Sequence, residues 1–171
     1  MIQIRKAVEA DIPAISAIYD RILTDCPPIG WQKGVYPTED TARTALAAGD
    51  LFTIEDDGAI VGAGRINQVQ VDVYYQTPWE HEAPDEEVMV AHTLVIDPAV
   101  HSKGYGSAFI AFYEKYALEH GCKYLRIDTN AINTTARALY KKLGYREAAI
   151  IPCVFNGIPN VNLVMLEKYL G

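Results

Sequence analysis

The sequence predicts an α+β fold built on a mixed sheet. Three observations carry the prediction. Strands occur as adjoining hairpins, as in residues 51–55 and 59–67 around the turn Asp56-Asp57-Gly58. Other strands alternate with segments of helical apolar spacing, so crossover connections are needed as well. The chain has 171 residues, half of them apolar, which is enough for one sizeable core and too apolar for global disorder.

Residues 2–5 alternate and predict a short strand. Asp11-Ile12-Pro13 opens a helix, with Asp as the cap and Pro in the first turn. Ile12, Ile15, Ile18, Tyr19 and Ile22 form its apolar stripe, and Cys26-Pro27-Pro28-Ile29-Gly30 breaks it. Thr38 caps a second helix that ends near Gly49. Beyond the 51–67 hairpin, strand character continues through Val69, Val71 and Val73, and residues 74–86 form a polar, aromatic loop. Residues 88–96 are strongly strand-like. Gly104 opens a long helix with Phe109, Phe112, Tyr113 and Tyr116 on one face. Residues 124–129 form a strand. Residues 133–143 form a helix with Ala136, Leu139, Tyr140 and Leu143 in register, stopped by Gly144. Residues 145–151 and 161–166 close the chain as an antiparallel pair.

The net charge of −7 argues against a general nucleic-acid binder. No apolar run approaches the roughly 18 residues of a membrane span, and the start lacks the marks of a secretory signal. Cys26, Cys122 and Cys153 are odd in number, widely spaced and without a C-x-x-C pattern. That spacing predicts neither a disulfide framework nor a metal site, and a reducing cytoplasm is the expected compartment.

The segment richest in chemistry is Leu94-Val95-Ile96-Asp97-Pro98-Ala99-Val100-His101-Ser102-Lys103-Gly104-Tyr105-Gly106-Ser107. A buried strand ends at Asp97-Pro98, and two glycines sit where a helix begins. Free N–H groups and the dipole of a helix start favour an anion, glycine lets phosphate approach the backbone, and Lys103 adds positive charge. Residues 101–107 are therefore expected to cradle a phosphate or pyrophosphate. A P-loop is excluded because G-x-x-x-x-G-K-[ST] is absent. A dinucleotide fingerprint needs a small residue where Phe109 stands, although Asp128, about 20 residues on, has the place of its ribose-binding acid. That reading remains a minor alternative. The third cradle, Q/R-x-x-G-x-G/A, is met at both glycines by His101-x-x-Gly104-x-Gly106, with His for Gln or Arg.

With that segment the sequence resembles the GNAT superfamily of acyl-CoA N-acyltransferases. Asn133, Ala136, Leu139-Tyr140 and Leu143-Gly144-Tyr145 are similar to the family's N-x-x-A-x-x-L-Y-x-x-x-G-F segment, with Tyr145 for Phe. Ile4-Arg5-x-Ala7-x-x-x-Asp11 is similar to its opening strand and helix, and Ile60-Val61-Gly62 to a later strand. The likeness covers most of the chain in order. It implies one N-acetyltransferase domain over residues 1–171. Its sheet would be mixed and mostly antiparallel, with helices on both faces, and strands 88–96 and 124–129 would splay apart.

The resemblance further implies acetyl-CoA as co-substrate and direct transfer to a primary amine of a small molecule or peptide. The backbone of Leu94, Val95 and Ile96 would take the pantetheine arm like an added strand. His101, Ser102, Lys103, Gly104, Tyr105, Gly106 and Ser107 would hold the pyrophosphate, and Asn133 would face the pantetheine or the acceptor. Tyr140 would protonate the leaving thiolate. Two residues compete as base. His92 has a suitable ordinary pKa, alternation puts Val90, His92 and Leu94 on one face, and His-x-Leu-x-Ile is similar to the catalytic strand of arylalkylamine acetyltransferases. Glu87 lies earlier on the same strand. Trp31 and Tyr36 would wall the acceptor site. Tyr74 and Trp79 could do so by cation–π attraction, against the simpler reading of a loop whose Trp79 packs on the core.

The acids between residues 80 and 87 would lie at the acceptor entrance and hint at a cationic amine. The resemblance leaves room for a homodimer. Each site residue also has a structural reading: His92 and Tyr140 as core residues, Asn133 as a helix cap, Glu87 as a solvated carboxylate. A non-catalytic acyl-CoA-binding module on the same fold is the alternative function.

Overall fold

The computed structural model describes residues 1–100 and 103–171. In chain order the elements are β1 (Ile2–Lys6), α1 (Ile12–Asp25), α2 (Glu39–Ala47), β2 (Leu51–Asp56), β3 (Ala59–Asn67), α3 (Asp72–Tyr75), β4 (Val88–Ile96), α4 (Tyr105–Glu119), β5 (Tyr124–Asn130), α5 (Thr134–Lys142), β6 (Arg146–Phe155) and β7 (Ile158–Tyr169). One seven-stranded sheet runs β1-β2-β3-β4-β5-β7-β6. Every neighbouring pair is antiparallel except β4–β5. Among the described residues no helix is long and apolar enough to cross a membrane.

Helices cover both faces. The isoleucine stripe of α1 packs on Leu51, Ala63 and Val95. Phe109, Ile110 and Tyr113 of α4 pack on Phe52, Ile54, Met89, Leu125 and Ile127 across the sheet. Each such large side chain taken out of water contributes about 1.5–3 kcal/mol. A third cluster, around Tyr74, Val88, Val90 and Leu163, continues the α1 side toward β7.

Two local expectations change. Asp11 does not cap α1 with its side chain. Its carboxylate takes a bidentate grip from Arg5, at 2.8 and 3.1 Å, and the Val8 N–H at 2.8 Å, which ties β1 to the helix entry. The valines at 69, 71 and 73 do not extend β3. The Asn67 side chain accepts the Val69 N–H at 3.0 Å, turning the chain out of the ladder, and residues 72–75 coil into α3.

The feature that positions the site is a bulge in β4. Arg65 pairs with His92 and Ala63 with Val95, so β4 carries one residue more than β3 over that stretch. Thr93 takes the strain with φ of 49°, a left-handed value uncommon for a β-branched residue. The extra residue inverts the alternation. Val90 faces the third cluster and Val95 the α1 cluster, whereas Leu94 and Ile96 turn to the α4 side. His92 and Leu94 therefore do not share a face, contrary to unbroken alternation.

Tyr145, just before β6, lies edge-on to Tyr140, with ring centroids 6.1 Å apart. Its hydroxyl is the one buried side-chain polar atom without a partner among the described residues. A buried, unpaired hydroxyl is a net loss to the fold. Tyr145→Phe keeps the ring and removes the orphan. It should raise stability by about 1 kcal/mol, measured as a higher urea midpoint at unchanged slope.

Candidate active site

β4 and β5 pair in parallel from Val88↔Tyr124 to Ala91↔Ile127 and then part. Beyond the fork β4 stays bonded to β3 on its other edge, at Ala63↔Val95 and Gly62↔Ile96. The β5-facing edge of Thr93–Ile96 has no strand partner among the described residues. A cavity of about 450 Å³ opens at the fork. The α1–α2 connection contributes Trp31 and Tyr36, β4 His92, Thr93 and Leu94, and β5 Asp128 to Asn130. Asn133, Ala136 and Tyr140 come from α5 and the Asn133 cap before it, and Phe155 and Ile158 from the β6–β7 hairpin. Trp31 and Tyr36 meet edge to face, and the Tyr36 hydroxyl bonds that of Thr93, fixing the loop to the bulge.

His92 is set by a chain of hydrogen bonds. Asn67 Nδ2 donates to Asp50 at 3.0 Å and Asn67 Oδ1 accepts the Val69 N–H, which orients the amide. That oxygen must then accept from His92 Nε2, 2.7 Å away, so the imidazole carries its proton on Nε2 and leaves Nδ1 as a lone pair. Arg65 lies close but is bound to Asp50 at 3.1 Å. Burial, and then the Arg65 charge, lower the His92 pKa from 6.5 to about 4.

Asp128 occupies the position on β5 equivalent to His92 on β4, one residue past the last pair. Val90 and Arg126 precede them on one face, so both side chains point to the same side of the fork. Burial raises the Asp128 pKa to about 6, and the 2.6 Å hydrogen bond donated by the Tyr74 hydroxyl only partly offsets this. Tyr140 is buried in the cavity wall, and desolvation pushes its pKa up, so the phenol keeps its proton. Asn133 accepts the Ala136 N–H at 3.2 Å and so caps α5 while lining the cavity.

α4 starts beside the fork. Gly104 is its N-cap with φ of 74°, a left-handed conformation that glycine adopts without penalty. The N–H groups that follow, through Ser107, have no acceptor within the helix, and the first turn carries no acid. Lys103 is exposed there. The Tyr105 side chain is buried and bonds Asp56 at 2.8 Å, so only its backbone is available to a ligand. Gly106 permits close approach to α5: a Cβ would stand 3.0 Å from Leu139. Asp97 ties this region to α1 through a bidentate contact with Arg21, at 2.6 and 2.9 Å, and accepts the Ala99 N–H. His101 and Ser102 lie outside the described residues.

Residues 17–145 match the acetyltransferase (GNAT) family profile. The chain belongs to that family. Its fold is similar to an acetyltransferase of the GNAT family from Streptococcus agalactiae, with a TM-score of 0.83 at 19% identity over 98% of this chain and 95% of that one. An N-acetyltransferase from Staphylococcus aureus superposes with a TM-score of 0.74 at 19% identity over 100% and 99% of the two chains. A putative acetyltransferase from Salmonella typhimurium, solved with its cofactor acetyl-CoA, gives 0.72 at 18% identity over 100% and 95%. No curated protein matches the chain in sequence.

Within this GNAT chain three expected site residues lie elsewhere. Glu87 is exposed in a 3-10 turn before β4, and five residues of strand put it about 16 Å from His92. It cannot serve the fork. Tyr74 is fully buried and reaches the site only through Asp128. Trp79 packs on Tyr74, donates to the Tyr74 carbonyl at 2.8 Å and lies 4.3 Å below the Arg126 guanidinium. The acids from 80 to 87 are likewise away from the cavity. Glu80 pairs with Arg146, Asp85 bonds Gln70 and Tyr75, and Glu167 of β7 accepts the N–H groups of residues 80 and 81. That loop is pinned to the sheet because it satisfies buried charge there.

The depressed pKa of His92 sets a pH window. Below about pH 6.5 the unfolded chain binds a proton at this residue while the folded chain resists until about pH 4. The folded state therefore loses stability as pH falls through that range. His92→Gln should keep about 1–2 kcal/mol more of its pH 7 stability at pH 5 than the parent, by urea denaturation at both pH values.

Proposed function

We propose that this protein transfers an acetyl group from acetyl-CoA directly to a primary amine of a small molecule or peptide. The observation that carries the reading is the fork itself: a free β4 edge, a cavity and the Tyr140 hydroxyl meet at the point where β4 and β5 part. The chain's groups fit the cofactor. A strand edge with unpaired backbone suits the amides of pantetheine. The N-terminal amides of α4, with Lys103 beside them, suit a pyrophosphate. Bound acetyl-CoA supplies an activated acyl carbon and a thiolate leaving group.

The remaining roles belong to the protein. Backbone of Leu94, Val95 and Ile96 aligns the arm and offers N–H groups where oxyanion charge develops. Asn133, half used as a cap, has its amide N–H groups left for the ligand. Tyr140 stays protonated at neutral pH because its phenol is buried, and delivers that proton to sulfur as the C–S bond breaks. His92 lines the cavity with its Nδ1 unprotonated. Its low pKa makes it a weak base, and it serves best by accepting a hydrogen bond from the amine and orienting it.

Acetyl-CoA at about 100 times its Kd should stabilise the protein by about 2.7 kcal/mol, a shift of several degrees in melting temperature. Thiol release should then appear with an amine acceptor. Tyr140→Phe should keep the thermal shift and lose at least about 100-fold in kcat. Absence of any acetyl-CoA shift would refute the reading, and binding without turnover on any amine would leave only a binding module.

A further inference from the structure

Most buried acids in this chain have a cation of their own. Asp11 pairs with Arg5 at 2.8 Å, Asp97 with Arg21 at 2.6 Å and Glu167 with Arg146 at 2.8 Å. Asp128, half-buried at the fork, is the exception among the described residues that are not exposed. One of its oxygens accepts from Tyr74, and no Lys or Arg pairs with it. Charge of this kind, partly withdrawn from water without a cationic partner, is unfavourable unless something supplies the opposite sign. Asp128 also lines the cavity at the fork.

We infer that Asp128 binds the acceptor as its ammonium ion and takes the first proton from it, and that the acceptor is a primary amine with a single charge on an apolar body. The inference rests on the acetyl-transfer reading and deepens it. The proton moves from nitrogen to the Asp128 carboxylate. The freed lone pair forms the C–N bond, and the C–S bond then breaks. A second nitrogen proton leaves as the amide forms and passes, directly or through water, to the Tyr140 phenolate, replacing the one given to sulfur. Asp128 returns its proton to water when the product departs, so one proton is released per turnover.

The walls decide the body of the acceptor. Trp31, Tyr36, Val71, Phe155, Ile158 and Val161 form an apolar and aromatic part of the wall, and the uncharged Thr41, Asn130 and Asn156 stand among the rest. Arg65 is the one Lys or Arg on the described lining, and Asp50 already holds it, so an amino-acid carboxylate finds no free cation. The second acid, Asp40, is exposed at the rim, where water screens it. A second ammonium gains little there.

Asp128 is also the group whose titration falls in the working range. The Asp128 charge reaches Tyr74 from α3, Tyr140 from α5, Tyr36 from the α1–α2 connection and Cys153 from β6, and burial raises all four. His92, with Arg65 and Asp50 behind it, titrates near 4. Asp128 must be ionised to act, so kcat/KM should fall as pH drops through about 6.

The test uses the full chain with acetyl-CoA and three probes: 2-phenylethylamine, glycine and spermidine. The first should exceed the other two in kcat/KM by at least about tenfold. Asp128→Asn should lose about 100-fold on 2-phenylethylamine and lose the limb near pH 6, while its stabilisation by acetyl-CoA is unchanged. With CoA present, 2-phenylethylamine should stabilise the parent and not the variant, whereas uncharged 2-phenylethanol should stabilise the variant at least as well as the parent. Tyr74→Phe removes the one hydrogen bond that favours the carboxylate, so its limb should move to higher pH. That variant decides the matter if Asp128→Asn does not fold. An unchanged limb in the variants, retained amine stabilisation in Asp128→Asn, or a preference for glycine or spermidine would overturn the inference. A parent that acetyl-CoA does not stabilise would overturn the acetyl-transfer reading beneath it, and that failure is separately visible.

Discussion

Parallel strands that bond for half their length and then part leave a row of backbone donors and acceptors unpaired, and such a gap has to be held open. Here β3 does the holding. It stays bonded to β4 through Ile96 while β5 turns away toward β7. Gly62 makes the grip close: a Cβ there would stand 2.6 Å from the Val95 carbonyl oxygen. The bulge at Thr93 then re-aims the strand, burying Val95 under α1 and leaving the last titratable residue before it, His92, facing the cavity. Just past β4, Asp97 is fixed to α1 by Arg21. One local distortion thus sets the strand edge and the side chains that face the cavity.

Much of this arrangement is legible in the sequence because its signals are local. The isoleucine stripe of α1, the Asp-Asp-Gly turn, the run from Val88 to Ile96 and the glycine after α5 each report a short-range preference that tertiary packing does not contest. The order of motifs points to the family for the same reason. Tyr140 from α5, and Trp31 and Tyr36 from the α1–α2 connection, all line the cavity.

What the sequence hides is non-local. Alternation across residues 90–94 assumes an unbroken ladder, and nothing in Thr93 marks the extra residue that inverts it. Glu87 looks like a strand residue near His92 until the extended rise separates them. The valines at 69, 71 and 73 have strand spacing, yet one hydrogen bond from Asn67 diverts the backbone. The acidic stretch before β4 looks like an open entrance because Arg126, Arg146 and Glu167, its real partners, lie 40 or more residues away. Asp128 stands out in the sequence only as a mimic of a ribose-binding acid. The signal that could have found its place is its equivalence to His92 across a parallel pair, which requires the register.

The fork also shows how one desolvated setting sorts two side chains in opposite directions. Burial disfavours whichever form is charged, so it weakens the imidazole as a base and strengthens the carboxylate. Arg65 pushes His92 further the same way. Near neutral pH the pair therefore carries one negative charge, on Asp128, beside a neutral ring. Positive potential lies apart from this pair, in Lys103 and the amides that open α4. In the proposed reading a protein with a net charge of −7 meets a polyanion there because the interaction is local and short compared with the distance over which salt screens the rest of the surface. The same separation lets the acceptor side favour a cation. In the proposed reaction the two ligands then approach with charges that attract at their own ends, and the low dielectric at the fork strengthens the nearer of those attractions where the transferred group must sit.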